Sequence, residues 1–231
     1  MRTRTGIRNG LVIVVGALAG LVGAPAGAGV IAGSPHDFSG AGWSGGQICV
    51  ACHTPHGGNI SVTDAPLWNH TLSTATYTLY TSGTMNAGAL AQPSGVSKLC
   101  LSCHDGTVAI DSYGGGAGTA GVMTGPNAVG AATQGSLAND HPIGFVYNTT
   151  LATADGALYD PATRTVTVGA GGTRSQTGTV AALMLFNGRL ECASCHDVHN
   201  TFTAANGSGV GSPLLRVSKA GSTICLTCHN K

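Results

Sequence analysis

Four copies of Cys-x-x-Cys-His hold all the thiol chemistry of the sequence: Cys49, Cys52 and His53; Cys100, Cys103 and His104; Cys192, Cys195 and His196; Cys225, Cys228 and His229. Two thiols separated by two residues can each form a thioether to a vinyl group of one porphyrin, and the histidine that follows reaches the iron from one face. This is the spacing of a c-type haem attachment site. The four motifs use all eight cysteines, so none is left for a bridge. A disulfide scaffold does not call for a histidine after every second cysteine, and a zinc site pairs two knuckles rather than repeating one pattern. The cofactors expected are therefore four c-type haems, each with its iron.

Each motif histidine supplies one axial ligand. The other five histidines are His36, His56, His70, His141 and His199, one more than four six-coordinate irons need. Outside the leader the methionines are Met85, Met123 and Met184, none of them in a motif. His56 and His199 follow a motif histidine by three residues. Positions three apart on a turn project to the same side, whereas two ligands of one iron approach from opposite faces, so each is expected to serve a neighbouring haem. Asp140 is expected to accept the imidazole N–H of His141, with Pro142 stiffening the backbone. His36 and His70 are open: either can ligate at home, pack, or reach another subunit. The extra histidine occurs only after the first and third motifs, and Leu99-Cys100-Leu101-Ser102 is echoed by Ile224-Cys225-Leu226-Thr227. This reads as a duplication into two haem doublets.

The elements that must position these groups are sparse. Arg2, Arg4 and Arg8, an apolar run over Leu11 to Val22 and small residues near Ala24, Ala26 and Ala28 read as a cleaved signal peptide over 1–28, and the run is too short to span a bilayer. Without it, seven basic residues face nine acidic ones, a balance that does not suggest nucleic acid as a partner. Only 8% of residues are charged, 37 are glycine and 5% are aromatic. A chain so poor in large apolar side chains builds a thin core and must borrow bulk from its cofactors.

The fold expected is a multihaem cytochrome c, one domain over 29–231. Its chain is mostly irregular and wraps around four haems, with short helices at the motifs, minor β-hairpins and no large core. The doublets, about 29–110 and 139–231, are joined by a Gly/Ala/Thr-rich surface spacer at 111–138. Residues 29–48 read as an extended arm, 76–81 as a short strand, 156–160 and 164–168 as a hairpin, and 179–186 as a helical turn. Trp68, Tyr77 and Tyr80 are expected to pack on porphyrin faces.

The segments His36-Asp37-Phe38-Ser39, Cys52-His53-Thr54-Pro55-His56, Leu67-Trp68-Asn69-His70, Cys103-His104-Asp105-Gly106, Asn139-Asp140-His141-Pro142 and Cys195-His196-Asp197-Val198-His199 resemble the tetrahaem extracellular cytochromes of metal-reducing bacteria, the cytochrome-nanowire family. Val198 stands where that family often carries proline. The resemblance implies two histidine ligands on every iron, one coming from the adjacent subunit of a filamentous homopolymer. It also implies export to the cell surface or beyond, and redox partners that are proteins or metal oxides. The function expected is electron transfer and not catalysis. The alternatives are a monomeric periplasmic shuttle and a multihaem enzyme such as a nitrite reductase, which would need one iron with an open position.

Overall fold

A computed structural model describes residues 30–61, 65–130, 135–205 and 213–231; the expected signal peptide lies outside them. Among these residues none forms a helix long and apolar enough to cross a membrane. The elements are short. Five helices, α1 (Gly95–His104), α2 (Thr149–Asp155), α3 (Val180–Met184), α4 (Cys192–Cys195) and α5 (Thr223–Cys228), alternate with strands β1 (Thr78–Leu79), β2 (Ser136–Leu137), β3 (Phe145–Val146), β4 (Thr165–Val168), β5 (Gln176–Thr179) and β6 (Arg189–Leu190). The strands pair only in twos: β1 with β2 in parallel, β3 with β6 and β4 with β5 antiparallel.

Each element has a local cause. Thr179 caps α3 by accepting the Ala182 N–H at 3.2 Å. Asn148 caps α2 by accepting the Leu151 N–H at 2.9 Å, and Gly156, with φ +70°, ends it in the left-handed conformation that glycine adopts freely. Alternation puts Val166 and Val168 of β4 inside.

The expected hairpin is half right. Residues 165–168 are a strand, but their partner is β5 and not 156–160, because the chain before Pro161 closes α2 and then runs to the C-terminus, where Asn230 donates to the Ala157 carbonyl at 2.8 Å. The threonine-rich helix α2 has weak propensity; its signal was the Asn148 cap with Gly156 eight residues on. The arm contains two 3-10 turns, Phe38–Gly40 and Gly42–Ser44, the first capped by Asp37. The segment at 111–138 is more than a spacer. Val129 N–H donates to the His104 carbonyl at 2.7 Å, and β2 forms a sheet with β1.

Three small apolar clusters replace one core, and each seats an attachment motif. Ala65, Trp68 and Leu99 pack with Cys52 of the first motif. Tyr77 and Leu137 hold Leu101, inside the second. Tyr147, Val166, Val168, Val180 and Met184 support Cys228 of the fourth. The turn at 169–172 closes tightly over this last cluster: a Cβ at Gly172 would overlap the Thr203 carbonyl. Gly172→Ala is therefore expected to cost about 1–3 kcal/mol of stability, measured as a lower denaturation midpoint with an unchanged slope.

Candidate haem centres

All eight cysteines are free. In every motif the N–H of the histidine or of its neighbour closes a turn back onto the first half of the motif: His53 to the Cys49 carbonyl at 2.8 Å, Asp105 to Leu101 at 2.9 Å, His196 to Cys192 at 3.1 Å and His229 to Cys225 at 2.9 Å.

Successive motifs are neighbours in the fold. Helix α1 docks on the start of α4, where Ser97 Oγ donates to the buried Glu191 carboxylate and accepts the Cys192 N–H at 3.0 Å. Cys100 and Cys192 consequently meet. A hydrogen bond between them raises the Cys100 thiol and lowers that of Cys192. Burial, with Cys52 nearby, pushes Cys103 up to about 12, and burial, with Cys192 and Cys225 nearby, pushes Cys195 up to about 11. The first motif thus neighbours the second, the second the third, and the third the fourth.

Tautomers follow from the acceptors. Nδ1 of His53 faces the Pro66 carbonyl at 2.9 Å, Nδ1 of His104 that of Asn127 at 2.6 Å, and Nδ1 of His196 that of Pro213 at 2.5 Å. A carbonyl can only accept, so Nδ1 carries the proton and Nε2 keeps a free lone pair. This is the state in which imidazole binds a metal, held in orientation by the second nitrogen.

Three of the four motif histidines face a second ring. His104 stands 6.1 Å from His36, His53 stands 6.2 Å from His199, and His229 stands 6.3 Å from His141, centroid to centroid. Two imidazoles on opposite faces of one metal, with bonds of about 2.0 Å and about 1.1 Å from nitrogen to ring centre, place their centroids about 6.2 Å apart. The three separations fit an iron between the rings. His36 Nδ1 is moreover buried without a hydrogen-bond partner, a costly state that a metal bond relieves. Burial first, then the neighbouring His104, His199 and His196, lowers His36 to about 4, so the ring is neutral and able to ligate near pH 7.

No protein-family model matches the sequence, and no curated protein does.

One of the three ring pairs crosses the two doublets, and the other two lie within one doublet each. His199, which follows the third motif, faces His53 of the first, so the neighbour that it meets belongs to the other doublet. His36 pairs within the chain. His70 is 3% exposed, with Nδ1 2.8 Å from the Thr71 carbonyl and Nε2 3.1 Å from that of Ala109. His56 is exposed. Among the described residues no histidine ring faces His196, which borders a cavity of about 230 Å³ with Cys192, Cys195, His141 and Asp140.

Asp140 does not hold His141. The imidazole Nδ1 lies 2.9 Å from the Pro142 carbonyl, and Asp140 Oδ2 is buried without a partner; proline turns its own carbonyl back onto the preceding ring. Trp68 packs edge-on against His53 and His70, Tyr77 donates through its hydroxyl to Asp105 at 2.7 Å, and Tyr80 lines the cavity. Among the described residues no group of three or more His, Cys, Asp or Glu is placed to hold a bare metal ion.

Sequence reasoning missed the carbonyl acceptors Pro66, Asn127 and Pro213, because a backbone oxygen leaves no trace in residue type. It also missed Asp105, although the carboxylate directly follows a motif histidine.

Proposed function

We propose that this chain is an electron carrier. It is exported, holds four c-type haems through the four cysteine pairs, and works as the subunit of a haem-lined filament that delivers respiratory electrons to external acceptors. The observation that carries this reading is the set of three histidine pairs at 6.1–6.3 Å. When bound, haem supplies a one-electron carrier whose potential is set by its ligands and surroundings. The chain's part is to keep both faces of each iron occupied, which excludes substrate, and to hold successive attachment turns against one another.

His196 is completed, in this reading, by the exposed His56 of a second copy, since His70 is buried within its own chain, Nδ1 beside the Thr71 carbonyl and Nε2 beside the Ala109 carbonyl and Cys103 Sγ. The surface suits such packing. Leu67 and Val198, beside the His53–His199 pair, are 42% and 38% exposed, and Leu226 in the fourth motif is 39% exposed.

The unpaired His196 also favours a second reading, an enzyme whose third haem keeps an open position beside Asp140. The two differ in the exported, haem-loaded protein. The carrier reading expects four haems per chain by iron and intact mass, only low-spin electron paramagnetic resonance signals, and filaments by electron microscopy that His56→Ala abolishes while His70→Ala does not. Stoichiometric high-spin signal that responds to nitrite, with globular particles only, would replace it by the enzyme.

A further inference from the structure

The first carbonyl inside the attachment turn is gripped by a side chain in three of the four motifs, and the gripping residues differ in charge. Asn69 Nδ2 donates to the Val50 carbonyl at 2.7 Å, Arg216 Nη1 to Ala193 at 3.2 Å, and Arg164 Nη2 to Leu226 at 3.0 Å. In the second motif the corresponding Leu101 carbonyl accepts the backbone N–H of Asp105. The carboxylate of Asp105 is buried, at 2% exposure.

The charges therefore stand in a fixed order along the chain of sites. The first has a neutral amide and the second a buried carboxylate. The third has a guanidinium opposed by the nearby Asp197 carboxylate, while its other arginine, Arg189, pairs with Glu191 at 3.9 Å. At the fourth, Arg164 lies over the Tyr159 ring, 3.8 Å from its centroid. The carboxylates near that site, Asp160 and Asp155, are only half-buried, where solvent screens their charge, whereas Asp105 is buried; Lys231 adds a second cation near His229. The wider distribution runs the same way. Between 29 and 138 the sequence has Asp37, Asp64, Asp105 and Asp111 against Lys98 alone, whereas 139–231 has six basic residues against five acidic.

A reduction adds one negative charge to a site. A nearby cation favours that step and a buried anion opposes it, and both act more strongly in a partly buried setting than in water. We propose that the residues gripping the attachment turns grade the reduction potentials, with the second site lowest and the fourth highest, so that one electron added per molecule resides at the fourth. Arg164 and Asp105 are positioning residues for this gradient and ligate nothing. The inference rests on the four-haem reading above.

The test is a spectroelectrochemical titration of the haem-loaded chain and two variants, Arg164→Gln and Arg164→Lys. The glutamine variant is expected to move the highest-potential quarter of the absorbance change to lower potential, and the lysine variant to leave it in place. An electron paramagnetic resonance spectrum at one reducing equivalent should show the loss of one ferric signal, and a different one in the glutamine variant. Iron content and intact mass are read first. Fewer than four haems per chain overturns the four-haem reading itself. Four haems with an unmoved highest wave in Arg164→Gln, or equal shifts in both variants, overturns the gradient alone.

Discussion

Replacing Asp105 with alanine is expected to cost about 3–5 kcal/mol of folding stability, in the range for breaking a buried charged network by removing one member. The carboxylate accepts from Ser73 Oγ, from Tyr77 Oη at 2.7 Å, and from the Thr107 amide and hydroxyl, both at 2.8 Å. Burial by itself raises its pKa, but the bonds from Ser73, Tyr77 and Thr107 outweigh that and hold it below the usual carboxylate range. It is charged at neutral pH, and truncation leaves several buried donors unmade. Denaturant unfolding followed by far-ultraviolet circular dichroism measures the loss. Ser73→Ala, which removes one donor and leaves the anion the others, should cost less. Equal costs for the two would show that Asp105 is not the hub.

If the proposed four-haem reading holds, replacing His141 with alanine is expected to convert one quarter of the haem from low-spin to high-spin, because His229 then lacks the ring that faces it at 6.3 Å. The reduced variant should bind carbon monoxide at one equivalent per chain, where the parent binds none at this site. His36→Ala and His199→Ala should each open one different site in the same way, with His104 and His53 left as sole ligands. A His141→Ala protein that stays fully low-spin would mean that this ring is not a ligand.

The chemistry proposed for the site rests on a local pattern. Thioether formation needs two sulfurs two residues apart and a histidine next to them, and that requirement is met inside five residues at Cys49, Cys100, Cys192 and Cys225. The thin core was legible too, since few aromatic residues and many glycines cannot fill a large one, and three small clusters resulted. The strand at 164–168 and the helical turn near 179–186 were visible as well, and the structure has β4 and α3 there.

What the sequence could not show is the pairing of rings. His199 meets His53 from well over a hundred residues away, and His36 meets His104, because α1 docks on α4 through Ser97 and Glu191 and the arm folds back over the second motif. Periodicity and spacing describe neighbours along the chain, and distal contacts of this kind depend on which short elements pack together. The same holds for the carbonyls that orient His53, His104 and His196 and for the arginines on the third and fourth turns. By itself the sequence determined four Cys-x-x-Cys-His motifs, each with its histidine adjacent, since that pattern is complete within five residues. Tertiary structure alone decided the order in which they touch, the second ring opposite three of them, and the exposure of His196 with none, since each depends on packing between segments that are distant in sequence.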